Sequence, residues 1–232
     1  MSAEPVTTGS VEQLARQQPF PRPEEACGLR ERKKVATRQA LGEAAMRLAV
    51  ERGLDKVLVE DIADAAGVSA RTFNNYFASK YEAICALQQA RALRIGDELR
   101  ARPPGEPLWE SAMQAVLSQF GPPDRVPDKD WVARIRLVVT SPALVGEYLK
   151  VQRMAQYHLA EVIAERVGTS LETDMFPRIM AGAVSAAMQA AIERWLHSDP
   201  PVPLAPLIRQ SFRQFAAGMR EVLPPAEAAD SG

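Results

Sequence analysis

Between Val59 and Lys80 the chain reads VEDIADAAGVSARTFNNYFASK, and this stretch leaves few folds open. Ile62, Ala63 and Ala66 recur at helical spacing, Gly67 admits the left-handed backbone that ends a helix, and Ser69 is a strong N-cap for a second one. Val68 and Phe73 then occupy the two positions of a hydrophobic staple, which fixes the angle at which the chain enters that second helix. Phe73 and Phe77 are one turn apart and define its core face. At about 100° per residue, Asn75 points almost directly away from that face, Arg71 and Thr72 also point well outward, and Asn74 and Tyr76 fall on the flanks. A helix that presents Arg and Asn to a major groove carries the side chains suited to guanine and adenine edges, and neighbouring Thr, Tyr and Lys suit phosphate oxygens. The stretch has the layout of a helix-turn-helix reading head.

Charge then limits how such a head can bind. The 232-residue chain has a formal net charge of only −1, so affinity for a polyanion must come from a local patch. Arg30, Arg32, Lys33, Lys34 and Arg38 against Glu31 give five cations to one acid, a local balance of +4, directly ahead of the motif. Nearly half of the chain is hydrophobic and a quarter charged, ordinary values for a globular protein. MSAEPVTTGSVEQ lacks the basic start and apolar core of a signal peptide. The longest uncharged run, Ile179 to Ile192, is shorter than the roughly 20 apolar residues of a membrane span. Cys85 reads as a buried thiol and Cys27 lies in the N-terminal arm, which implies no disulfide framework and fits a cytoplasmic location.

No segment alternates with the period of a strand, so the whole chain reads as all-α. Residues 1–28, with the proline-broken QQPFPRPEE, are expected to form a disordered arm, and 224–232 a flexible tail. Residues 29–80 would form the three-helix DNA-binding domain, its first helix running from about Arg30 to Arg52 with Val35, Leu41, Ala45, Leu48 and Ala49 inward. Residues 81–223 would form a helical domain for regulation, ligand binding and dimerisation. It opens with a long helix started by a Ser79/Glu82 capping box and stopped before Pro103. Further helices are expected from about Glu106 to Phe120, from about Asp128, from Ser141 to about Val167, from about Asp174 to His197 and from about Leu204 to Val222. Apolar residues cover so wide an arc of the helix that ends at His197 that it should be buried on several sides. With the last helix it would supply a two-fold dimer interface through Met188, Ile192, Trp195, Ile208, Phe212 and Phe215.

The run from Leu29 to Ile84 resembles the DNA-binding domain of the TetR family of bacterial transcriptional regulators. Ala44, Ala45, Gly53, Val59, Asp61, Ile62, Ala63, Ala66, Gly67, Val68, Ser69, Thr72, Phe73, Tyr76, Phe77, Ser79 and Lys80 carry the likeness. Three positions depart from the family pattern: Leu58 replaces a usual capping Thr, Asn74 a common Tyr and Ala78 a frequent Pro. The resemblance implies a homodimeric repressor of a palindromic double-stranded DNA operator. Arg71, Asn74 and Asn75 would read bases, while Thr72, Tyr76, Lys80, Arg30, Lys33 and Lys34 would hold phosphates. The stretch Arg134 to Gln156 resembles the subgroup whose regulatory domain takes acyl-CoA-like ligands.

A small apolar effector would find adaptable surface at Trp109, Met113, Phe120, Tyr148, Met154, Tyr157, Met180 and Met188. The chain shows no glycine-rich phosphate loop and no Cys or His cluster at metal spacing, and His158 and His197 stand alone. We therefore expect no enzyme, cofactor or metal. A helical small-molecule carrier or scaffold without specific DNA binding is the alternative. On the division of contacts above, Lys80→Ala should weaken all DNA sequences alike, whereas Asn75→Ala should relax preference at one base position; equal losses on operator and random DNA would contradict it.

Overall fold

The computed structural model describes residues 28–121, 124, 126–198 and 202–222, and among them finds helices and no strand. The expected arm, the middle of the GPPDRVPD loop and the tail lie outside these residues. The described chain forms two compact units that divide between Leu87 and Gln88, inside a helix rather than ahead of it at residue 81.

In the first unit, helix α1 spans Leu29–Arg52. Gly53 ends it at φ +84°, donating its N–H to the Ala49 carbonyl at 3.1 Å. The inward positions Leu41, Ala45, Leu48 and Ala49 are buried as expected, together with Met46, while Val35 stays half-buried. A short 3-10 turn, Leu54–Lys56, leads to α2, Val59–Ala65. Leu58 offers no capping oxygen, and the cap comes from the other direction: its N–H donates to Asp61 Oδ2 at 3.1 Å. The turn follows at Gly67, φ +69°, where the Val68 N–H reaches the Ala63 carbonyl at 2.9 Å. Helix α3, Ala70–Asn74, is capped by Ser69 Oγ, which accepts from the Thr72 N–H at 3.1 Å. Helix α4, Lys80–Ala101, starts on the expected box, with Ser79 Oγ accepting from the Glu82 N–H at 3.1 Å and Glu82 Oε2 from the Ala78 N–H at 2.8 Å. Its first turns belong to the first unit because a Cβ on Gly42 would stand 3.3 Å from the Ala86 Cβ, so the small residues let α1 and α4 meet closely.

The second unit adds α5 (Leu108–Leu117), α6 (Lys129–Thr140), α7 (Val145–Val167), α8 (Phe176–Leu196) and α9 (Leu204–Val222). Asp128 caps α6 through the Trp131 N–H at 2.7 Å, and Gly168 ends α7 in the left-handed region, φ 71°. One core joins Leu99 of α4, Val116 of α5, Ile163 of α7, Val184 of α8 and Ile208 and Phe212 of α9. Trp109 stacks on Phe215 with centroids 5.3 Å apart and donates its indole N–H to the Phe212 carbonyl at 3.1 Å. Trp195 meets Trp131 edge-on at 5.0 Å and donates to the Val202 carbonyl at 2.8 Å.

The bend after α4 is held by charge. Arg166 of α7 donates to the carbonyls of Leu99, Arg102 and Pro103 and to Ser111 Oγ, satisfying groups that the end of a helix leaves open. Glu106 accepts a fork from Arg102 and a hydroxyl from Ser111 at 2.6 Å, and these bonds hold its carboxyl well below the ordinary 4.5, at about 2. A depressed folded value stabilises the native state above the ordinary value, and the gain is lost as pH falls through 4.5 toward about 2. Thermal unfolding across that range should therefore show a falling Tm in the wild type and a flatter profile in Glu106→Gln. Arg166→Ala should cost about 2–4 kcal/mol, read by urea unfolding, because several carbonyls lose a charged donor at once.

Candidate nucleic-acid interface

The face of α3 is set from behind. Phe73 and Phe77 are 0% and 2% exposed, with ring centroids 5.6 Å apart. Their burial turns Arg71, Asn74 and Asn75 outward, where all three side chains are exposed. The helix proper ends at Asn74 and Asn75 caps it in right-handed geometry, one turn shorter than the sequence pattern suggests, yet the Phe77 N–H still reaches the Phe73 carbonyl at 3.0 Å. Thr72 and Tyr76 are half-buried, and the Thr72 hydroxyl lies 2.9 Å from Ser69 Oγ. Arg30, Lys33 and Lys34 are exposed on the first turns of α1.

Lys80 has a different task from the one expected. Its ammonium donates to the carbonyls of Leu54 and Val57, both at 2.9 Å, so it ties the start of α4 to the link between α1 and α2 instead of reaching outward to a phosphate. Arg38, counted with the basic patch, is also turned inward, its side chain 13% exposed. It lies 4.1 Å over the Phe77 ring, donates to the Tyr76 carbonyl and pairs with Glu82 at 3.2 Å. Burial lowers its pKa while Glu82 raises it. Nothing local marks Arg38 as different from Arg30 or Arg32, because its partners are about forty residues away in the chain.

The second unit places the effector-pocket residues apart. Only Phe120 of the eight lines the cavity found there, a space of about 180 Å³ bounded by Arg91, Gln119, Phe120, Gly121, Pro127, Trp131, Leu204 and Ala205. Trp109 is spent on Phe212 and Phe215, Met113 is buried, and the Met154 sulfur accepts from Gln89 at 3.7 Å. Tyr148 accepts from Gln152 at 2.7 Å, Tyr157 lies under Arg178, and Met180 and Met188 are half-buried against the core. Sequence reasoning missed Arg91 and Gln119. The available signal was a cation on the apolar stripe of α4, one turn before Ile95 and two after Ile84.

The proposed dimer residues divide as well. Trp195, Ile208 and Phe212 are 3% exposed or less, filling their own subunit's core with no surface left for a partner. Met188, Ile192 and Phe215 are half-buried. Helix α8 is not buried all round: it leaves Ile179 62% exposed, with Phe176 and the preceding Met175 open as well.

A glycine turn between two short helices, an aromatic pair sealed behind the second and an Arg-Asn-Asn face in front of it define a helix-turn-helix DNA-binding protein. The family profile described as bacterial regulatory proteins, tetR family, matches residues 41–84, and that of the MftR C-terminal domain matches residues 106–220. The HTH-type transcriptional regulator TcmR of Streptomyces glaucescens is 35% identical over 173 residues, which cover 72% of this chain and 76% of TcmR. Among solved structures, SmeT, the repressor of the Stenotrophomonas maltophilia multidrug efflux pump SmeDEF, aligns with TM-score 0.53 at 16% identity, over 78% of this chain and 89% of its own. Thermus thermophilus FadR, a TetR-family repressor solved in complex with lauroyl-CoA, aligns with TM-score 0.50 at 20% identity, over 84% and 100%. The chain belongs to the TetR family of bacterial transcriptional regulators. Among the described residues no helix is long and apolar enough to cross a membrane and no group of His, Cys, Asp and Glu could hold a metal.

Removal of the Lys80 ammonium should cost about 1–3 kcal/mol of folding stability in Lys80→Ala, since two carbonyls lose a charged donor, whereas Asn75→Ala should leave Tm within a degree or so of wild type. Differential scanning calorimetry on both variants checks this; an unchanged Lys80→Ala would return that side chain to the DNA surface.

Proposed function

We propose that this regulator is a homodimeric repressor that binds a palindromic operator and leaves it when a small effector binds the second unit. The observation that carries the reading is the exposed Arg71, Asn74 and Asn75 face over the sealed Phe73–Phe77 pair. Arg71 offers a bidentate fork to guanine, and Asn74 and Asn75 offer paired donor and acceptor groups to adenine. Thr72, Tyr76 and the exposed Arg30, Lys33 and Lys34 suit phosphate oxygens, while Lys80 supports the head from behind. Two such heads in one dimer would enter successive major grooves about 34–36 Å apart.

For the dimer contact, the open apolar end of α8 at Met175, Phe176 and Ile179 is the surface we favour, with Met188, Ile192 and Phe215 at its margin. Effector release needs a ligand with different affinities for two arrangements of the heads, and its effect is bounded by that difference. Helix α4 runs through the division between the units, so it is the element through which we would look for the coupling. FadR of Thermus thermophilus holds lauroyl-CoA, which supports a small-molecule effector of some kind. An acyl-CoA-like effector is not what the cavity of about 180 Å³ favours, since ligand pockets usually enclose about 300–1,000 Å³.

Selection of genomic DNA by the purified protein at near-physiological salt tests the reading. Recovery of a palindrome with half-sites one helical turn apart, or a longer overlapping version, is the expected result. Failure to enrich any sequence would favour a ligand-binding helical protein instead. On the recovered operator, Asn75→Ala and Arg71→Ala should each lose about 1–3 kcal/mol of discrimination at one base position and little on random DNA. Ile179→Glu should shift the protein from dimer to monomer in light scattering, because a carboxylate in an apolar interface is left without a partner.

A further inference from the structure

We propose that the second unit binds a small aromatic carboxylate, with the Arg91 guanidinium taking the carboxylate and Phe120 and Trp131 flanking the ring. The proposal names the effector class for the regulator described above, and depends on that reading only for the consequence on DNA.

The first observation is the company Arg91 keeps. Its guanidinium carbon is 5.4 Å from the centroid of Phe120 and 5.9 Å from that of Trp131, and these two rings meet edge-on at 6.2 Å and 87°. Other arginines of this unit are matched to oxygen: Arg100 to Glu165 at 2.8 Å, Arg102 to Glu106, and Arg166 to a set of carbonyls. Arg91 has no carboxylate partner among the described residues. Asp128, three residues before Trp131, accepts the Trp131 N–H as the cap of α6.

The second observation is a second cation. Arg94, one turn on, donates to Gln119 Oε1 at 3.0 Å, which fixes a cavity-lining amide, and its charge adds to burial in pushing the Arg91 pKa down. Two neighbouring guanidinium groups, one bonded to an amide and neither to a carboxylate among the described residues, leave a local positive field that an anion relieves. A planar fork in a partly dry, aromatic setting favours a bidentate carboxylate.

The third observation is size. A cavity of about 180 Å³ is close to the roughly 150 Å³ that accepts benzene in an apolar core. Leu204, Ala205 and Pro127 complete the apolar walls, so the site suits a single ring bearing one acid group, and is too small for a long acyl chain. Arg91 stands on α4, the helix whose first residue, Lys80, ties it to the DNA-binding unit's α1–α2 link.

Isothermal titration of the full chain with benzoate, benzyl alcohol and inorganic phosphate, without DNA, tests the proposal. Benzoate should bind saturably, with benzyl alcohol and phosphate each weaker by about tenfold or more, the loss that follows from removing a charged hydrogen bond or the ring. Arg91→Leu should lose about tenfold or more for benzoate, while Arg153→Ala, an exposed change on α7, should not. Equal binding of benzyl alcohol and benzoate, phosphate as tight as benzoate, no binding of benzoate, or an Arg91→Leu affinity equal to wild type would each overturn it. If circular dichroism shows Arg91→Leu unfolded, the ranking of the three probes on the wild type decides. Because no DNA is present, a chain that finds no operator can still pass this test, and a chain that represses can still fail it.

Discussion

Burial of Phe73 on a five-residue helix and of Phe77 in the turn just beyond it is the constraint from which the outward Arg71, Asn74 and Asn75 face follows. Each ring removed from water is worth about 2–3 kcal/mol, more than a helix this short gains from its own hydrogen bonds. Helix α3 therefore cannot rotate without exposing a ring, and its rotation decides which side chains meet a groove. Arg38 and Glu82 extend the same control: the guanidinium covers Phe77 and takes the Tyr76 carbonyl, and the carboxylate that pairs with it also caps α4. The reading helix, the helix before the turn and the helix after it are thus joined by one ring pair and one ion pair.

Cations are divided by task. In the first unit Lys80 and Arg38 are turned inward onto carbonyls and a ring, while Arg30, Arg32, Lys33, Lys34 and Arg71 stay outward, available for a polyanion. A chain with net charge −1 can bind DNA only if its outward charge is gathered in this way. In the second unit Arg166, Arg102 and Arg100 are matched with oxygen and serve the fold, whereas Arg91 is placed against two rings at a cavity wall with no carboxylate partner among the described residues.

The same residue types have opposite fates in the second half for reasons of packing. Trp109 and Trp195 spend their indole N–H groups on carbonyls and their rings on neighbouring aromatics, and so become core, while Trp131 keeps one side at the cavity. Methionines at 113, 154, 180 and 188 looked equally suited to an effector and are distributed through the packing. Helix α8, with apolar residues round most of its circumference, is buried over part of it and leaves an open patch at its N-terminal end.

What the sequence determined by itself is the set of features made within a few residues of one another. Gly53, Gly67 and Gly168 mark the helix ends, Ser69, Ser79 and Asp128 supply caps, and Phe73 with Phe77 sets the orientation of α3, because each depends on local backbone geometry or helical spacing. Helical periodicity also identified Leu41, Ile62 and Ile84 as core. Tertiary structure alone decided what covers each apolar stripe and where each long cation ends. Trp195, Ile208 and Phe212 are inward because other helices of the same unit lie on them, and no spacing rule distinguishes that from a partner subunit. Lys80 finds Leu54 and Val57, Arg38 finds Tyr76, and Arg91 finds Phe120 and Trp131 across 23 to 40 residues. A flexible side chain several carbons long takes its role from whatever the fold brings within reach, and that is settled only when the helices pack.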